Sequence, residues 1–315
     1  MTEVALRAAE ATALAHAMTA HIARDAGIRL LSIKGPVADH YRLRAPRVPA
    51  DSDVWVEPAR FEEMCELLEA RGWHLRVGRE TPALLPQHSR TFIHGSWPCD
   101  IDLHWMFPGF FADPETAFDA VWETRSTIQV AHTEVIVPSL AGSAAIGMLH
   151  ALRNLQDARH REERDLLTTT LVERFSGDDR AEFYRIARGG GAVWVLRDVI
   201  AEARLGDVVS DASEDEKRRW SLFQDYVEDG SAVSWWMQLR RAPLSQKGRL
   251  LTRALWVPRA DVPRNDPSAL PTRAEAWRYQ RQRWGRGGRA LLRYFRRERE
   301  RDRDRAGADS ARSQP

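Results

Sequence analysis

Cysteine is nearly absent from this chain: only Cys65 and Cys99 occur, in no CxxC-type spacing. That argues against a disulfide framework or a cysteine-built zinc site and fits a reducing compartment. Lysine is as scarce, with Lys34, Lys217 and Lys247 standing among 47 basic residues. The bias towards arginine reads first as genome composition, and it makes the position of Lys34 worth following. No apolar run approaches the ~18 residues of a membrane span. The N-terminal stretch has no basic region followed by an apolar core, so the expectation is a cytoplasmic protein without a membrane partner. The formal net charge is only +2, which leaves no global field to draw the chain to nucleic acid or lipid. There is no internal repeat.

What is present centres on Pro49-Ala50-Asp51-Ser52-Asp53-Val54-Trp55-Val56. Successive side chains on a strand face opposite ways, so Asp51 and Asp53 share a face, with Cα atoms about 6.7 Å apart. Val54 and Val56 suit a core. Two carboxylates so placed can converge on a divalent cation or a pair of them. The same letters also make an ordinary turn, since Pro, Asp and Ser are common turn residues. Other parts of the chain decide between the two.

With 315 residues there is room for two domains and a sizeable core. Residues 3–26 read as an amphipathic helix ended by Gly27, and Ile28 to Ile33 as a strand broken by Lys34-Gly35-Pro36. Pro36 suits the first turn of a helix running to about Leu43. After the polar loop 44–50 and the Asp-x-Asp strand, a helix from Glu57-Pro58 presents Phe61, Met64, Cys65 and Leu68 and stops at Gly72. A strand over 73–77 and a loop over 78–87 follow. His88–His94 and Cys99–Trp105 read as a hairpin around Gly95-Ser96-Trp97-Pro98. On its second strand Asp100, Asp102 and His104 share a face, a further carboxylate face about fifty residues on from the first.

The organisation expected is a first domain over 1–138 and a helical domain over 139–256. Helices are predicted at 139–156, 158–175, 179–188, 192–204, 214–227 and 231–240. A proline-containing linker spans 257–272, an Arg/aromatic helix 273–297, and a disordered tail 298–315.

Ile33-Lys34-Gly35, Tyr41, Arg47 ahead of Asp51-x-Asp53, and Asp102-Leu103-His104-Trp105 together resemble the nucleotidyltransferase family proteins of the DNA polymerase β-like superfamily. His88 falls where the family has a His ahead of its hairpin, and His150 and Asp165 resemble the His and Asp of its following helical region. The resemblance covers about residues 10–170. It departs at Ser52, where the family has an apolar residue, and at Lys34-Gly35, which replaces the Gly-Ser common in the wider superfamily. Related bacterial toxin enzymes carry a similar Lys-Gly and Asp-x-Asp.

The resemblance implies an α+β fold: a small mixed sheet with flanking helices, followed by an α-helical domain. It implies in-line transfer of an NMP from an NTP such as ATP to an unidentified acceptor, with two Mg²⁺ ions, or Mn²⁺ in their place. Asp51, Asp53 and Asp102 are the expected catalytic and metal-holding residues, Asp102 also helping to remove the acceptor's proton. Lys34, Gly35 and Arg47 are the expected nucleotide contacts, with a favourable field at the helix beginning at Pro36. His104 and His88 are supporting candidates.

Plainer readings stand beside each. Asp100 competes with Asp102, and Lys34 could only finish a strand. Arg47 could brace its loop by pairing with an aspartate. His104 and His88 could be packed histidines, His150 and Asp165 a structural pair between helices, and Tyr41 a core residue. The segment 273–297 could bind nucleic acid, but an amphipathic closing helix is the favoured reading. The functional reading is a tailoring nucleotidyltransferase acting on a sugar, small molecule, peptide or protein. Its alternatives are a toxin-like transferase with a neutralising partner, or a non-catalytic module that has kept the fold.

Overall fold

A computed structural model describes residues 6–76, 87–229, 231–263 and 270–312. The described residues divide into two compact units: one through Arg76 and from Gln87 to Trp220, the other from Ser221 onward. In the first unit α1 (Ala8–Asp25) runs to Ala26 and turns at Gly27, which takes φ +65°. Then come β1 (Leu30–Ser32), α2 (Gly35–His40), β2 (Asp51–Val56), a 3₁₀ turn at Pro58–Arg60, α3 (Phe61–Glu69) and β3 (His74–Leu75). β4 (Ser89–Ile93) and β5 (Asp100–His104) form the expected hairpin. The loop expected at 78–87 and the end of the strand expected at 73–77 lie largely outside the described residues.

The fold is α+β around a small mixed sheet. Its strand order is β1-β2-β5-β4-β3, with β2 and β5 parallel and every other pair antiparallel. Alternation does the sorting. Val54, Val56, Ile101, Leu103 and Phe92 turn to one face, where Ala11, Ala15, Ile22, Phe61, Met64, Cys65 and Leu68 of α1 and α3 cover them. Ser52 falls on this same buried face. Trp55, of opposite parity, packs on the other face against Phe107, Phe110 and Phe118, with ring centroids 5.7–6.1 Å away.

Residues 106–138, for which no elements are expected from the pattern above, hold α4 (Pro114–Trp122) and an antiparallel hairpin, β6 (Ser126–Val130) with β7 (Thr133–Val137). Ile128, Val130, Val135 and Val137 bury against Ala20 of α1 and Val37 of α2, and Tyr41 packs beside them with its hydroxyl on the Pro138 carbonyl. After Pro138 the described residues are helical: α5 (Leu140–Ala151), α6 (Ala158–Glu173), α7 (Gly177–Gly189), α8 (Val193–Glu202) and α9 (Glu214–Asp229), the last continuing into the second unit. The helix expected over 139–156 ends at Ala151. Asp157 caps α6 by accepting from Arg159 N–H at 2.9 Å, and the turn between the helices carries Arg153.

The second unit is built from α10 (Ser231–Arg241), α11 (Leu244–Leu255) and α12 (Arg273–Arg312). Trp236 meets Phe295 edge-on, and the indole N–H of Trp284 donates to the Leu255 carbonyl at 2.7 Å. No helix among the described residues is long and apolar enough to cross a membrane.

Candidate active site

Parallel pairing of β2 with β5 sets Asp51 opposite Asp100 and Asp53 opposite Asp102. Register partners in adjacent strands face the same way, so four carboxylates stand on one side of the sheet. They are not equivalent. Asp53 is buried and takes two partners on one oxygen: Lys34 Nζ at 2.7 Å and His104 Nε2 at 3.0 Å from Oδ1. Asp102 accepts from Thr91 Oγ at 2.6 Å, across the hairpin. Asp53, Asp102 and His104 bring ligand atoms within 4.8 Å of one another; Asp51 is not in that group. Asp100 is ion-paired with Arg76. Of the two candidates on β5, it is Asp102 that stands at Asp53.

Charge on this face is held by compensation. Burial opposes ionisation of Asp53, yet Lys34 and His104 hold its carboxyl far below the usual carboxylate range. Asp51, by contrast, is pushed up to about 6 by burial and then by repulsion from Asp53 and Asp102, with Lys34 offsetting part of it. Burial lowers His104 despite its carboxylate partner. A neutral His104 donates from Nε2 to Asp53 and leaves Nδ1 as a buried nitrogen with no hydrogen-bond partner. His88 stacks on His104 with centroids 5.8 Å apart, and burial, then His104, pushes it well below its ordinary value.

Lys34 owes its position to backbone strain. It sits at φ +56°, ψ −142°, a region lysine rarely enters. The turn is fixed at both ends: Ile33 N–H donates to the Asp53 carbonyl at 3.0 Å, and Val37 N–H to the Lys34 carbonyl at 2.8 Å. Gly35 follows at φ +37°, where a Cβ would come within 3.2 Å of His16 Nε2. The helix expected to begin at Pro36 and run to about Leu43 is the six-residue α2, too short to add much of a dipole field.

Arg47 does not join the carboxylates. It pairs with Glu163 of α6, so the loop's partner is a glutamate and not the aspartate anticipated. Asp165 is exposed beside Arg164, and His150 faces His160 and Glu163, so His150 and Asp165 do not form the pair expected of them. Both cysteines are buried free thiols.

Three residues at the site escaped sequence reading. Arg153 lies in the turn after α5, its guanidinium 5.7 Å from the centre of the Phe107 ring, which Lys34 Nζ approaches to 5.5 Å. Burial pushes Arg153 down to about 10 against the pull of Asp53 and Asp102. Thr91 is the second, legible only once the hairpin register is known. His16 is the third: fully buried, with neither ring nitrogen hydrogen-bonded. The stripe Thr12, His16, Thr19 at helical spacing on an otherwise alanine-lined face was the available signal.

A family described as "uncharacterised nucleotidyltransferase" matches residues 1–209. The chain belongs to this nucleotidyltransferase family. Among solved structures, it is similar to the antibiotic-resistance factor ANT(2'')-Ia, at 14% identity, TM-score 0.37, covering 62% of this chain and 95% of that one. It is also similar to an antigenic nucleotidyltransferase-like protein from Paracoccidioides brasiliensis, at 10% identity, TM-score 0.39, covering 62% and 93%. A third is an apo tRNA-processing enzyme, at 14% identity, TM-score 0.27, covering 80% and 76%. None is similar enough to carry a substrate across. No curated protein matches.

Proposed function

We propose that this nucleotidyltransferase moves an NMP from an NTP to a hydroxyl-bearing acceptor, using the carboxylate face of β2 and β5. The observation that supports it is the buried Asp53, flanked in register by Asp102 and held by a lysine in a strained turn. In the reaction the acceptor oxygen bonds to the α-phosphorus, the bond from that phosphorus to the bridging oxygen breaks, and pyrophosphate leaves with the electron pair. The acceptor proton goes to a base.

The family's usual divalent cations fit these residues on chemical grounds. Asp51, Asp53 and Asp102 are hard oxygen donors whose mutual repulsion already raises Asp51. Magnesium bound there would neutralise phosphate oxygens and acidify the acceptor hydroxyl. Asp102, oriented by Thr91 through Oδ1, keeps Oδ2 to take the acceptor proton. Lys34 reaches the β- or γ-phosphate by leaving Asp53 Oδ1, and Arg153, whose guanidinium also lies by the Phe107 ring, supplies a second cation. His104 keeps Asp53 ionised and oriented throughout. Arg47 contacts nucleotide only by giving up Glu163.

The test is transfer of label from α-phosphate-labelled NTPs to a panel of sugars, small alcohols, tRNA and protein. Wild type with Mg²⁺ should label an acceptor, whereas Asp53→Asn should not. Equal labelling by the variant would refute the assignment.

A further inference from the structure

Beyond the side chains of β2 and β5, α5 and α6 bring His150, His160 and Glu163 together, with ligand atoms all within 4.8 Å. We propose that these three side chains form a second metal site, selective for a zinc-class transition ion, which clasps the loop ahead of β2 to α6. The inference is independent of the nucleotide reading above.

Two of the three ligands are already oriented from behind. His160 Nδ1 lies 3.2 Å from the Asn154 carbonyl oxygen. A carbonyl only accepts, so the proton is on Nδ1, and the neutral ring presents its Nε2 lone pair. A histidine whose far N–H is tied to a backbone carbonyl is the arrangement that supports metal ligation. Glu163 is divided in the same sense. Its Oε1 is taken by Arg47 and approached by Arg159 at 3.7 Å, while Oε2 faces His150 Nδ1 at 3.8 Å. Two ligands on one tetrahedral zinc lie about 3.4 Å apart, given metal–ligand bonds of about 2.1 Å. Only a few tenths of an ångström therefore separate His150 and Glu163 from ligating distance.

The surroundings point the same way. The glutamate side chain is only 12% exposed and that of His150 19%, and burial pushes His150 well below its ordinary value, so it is available as a neutral ligand. Two imidazoles with one carboxylate suit Zn²⁺ and its neighbours and not Mg²⁺, which prefers oxygen alone. An ion here fixes Glu163 Oε2 while Arg47 holds Oε1. Through Arg47 it anchors the segment that runs into Asp51.

The experiment is equilibrium dialysis of chelator-treated full-length protein against Zn²⁺ in a large excess of Mg²⁺, which occupies the carboxylate face, with metal analysis, on wild type, His160→Gln, Glu163→Gln and Asp53→Asn. Thermal unfolding is read alongside. The proposal expects a single Zn²⁺ per wild-type chain and a rise in unfolding temperature. Binding should be unchanged in Asp53→Asn and weakened more than ~100-fold in both His160→Gln and Glu163→Gln. Circular dichroism of the metal-free variants establishes that they are folded. No Zn²⁺ uptake by wild type would overturn the proposal, as would wild-type binding by folded His160→Gln or Glu163→Gln. Loss confined to Asp53→Asn would also overturn it, by locating the ion at the carboxylate face. Failure of nucleotide transfer alone would leave it standing.

Discussion

Replacing Lys34 with methionine removes the ammonium from a largely buried pair, whose side chains are 19% and 7% exposed, and leaves Asp53 charged. Breaking such a pair from one side costs about 3–5 kcal/mol. His104 remains on the same oxygen, so the low end, about 3 kcal/mol, is expected. If that cost is the stranded charge and not lost packing, it should shrink when the charge is absent. In the Asp53→Asn background Lys34→Met should cost no more than about 1 kcal/mol, a coupling of about 2 kcal/mol. Lys34→Gly adds a second discriminator. Set against Lys34→Ala, which loses the same ammonium and stem, it releases a strained φ worth about 2 kcal/mol, less about 1 kcal/mol of extra chain entropy, so it should be about 1 kcal/mol more stable than Lys34→Ala. Urea denaturation at pH 7 on wild type, Lys34→Met, Asp53→Asn, their double variant, Lys34→Gly and Lys34→Ala measures all of this. Additive costs for Lys34→Met and Asp53→Asn would refute the ion-pair argument, and a glycine variant less stable than the alanine one would refute the strain argument.

Other outcomes follow from the same geometry. Asp102→Asn should abolish transfer, whereas Asp100→Asn, whose carboxylate serves Arg76, should keep at least a tenth of it; steady-state assays separate them. His16 is lowered to about 4 by burial, so between its unfolded value of 6.5 and that value the unfolded chain binds the extra proton and stability falls as pH falls. At pH 5 this amounts to about 2 kcal/mol. His16→Leu should lose that part of the slope, measured as the change in urea midpoint between pH 7 and pH 5. Gly35→Ala should destabilise by about 1–2 kcal/mol, because alanine must take φ +37° and meets His16 Nε2.

Local pattern made much of this molecule readable. Alternation put Asp51 and Asp53 on one face and Val54 and Val56 on the other, and Gly95-Ser96-Trp97-Pro98 announced the hairpin of β4 and β5. Gly27 and Gly72 stopped their helices at positive φ. What pattern could not supply was pairing at long range. The parallel register that sets Asp53 against Asp102, and leaves Asp100 to Arg76, depends on how β2 and β5 slide past one another. Only the family resemblance singled out Asp102. Arg153 was illegible for a different reason. It lies in a short turn inside what reads as one continuous helix, and its surroundings, Phe107 and the carboxylates, are all distant in sequence. The β6–β7 hairpin went unread although its Ile128, Val130, Val135 and Val137 alternate as strands should. Arg47 was visible as a loop cation, but its glutamate partner is more than a hundred residues away.

Calorimetric titration of each of the four NTPs into the protein, with and without Mg²⁺, tests most directly whether the carboxylate face is a nucleotide site. At least one NTP should bind wild type in a Mg²⁺-dependent manner, and Asp53→Asn should lose that binding while remaining folded. Absence of binding by any NTP, or equal binding by Asp53→Asn, would contradict it.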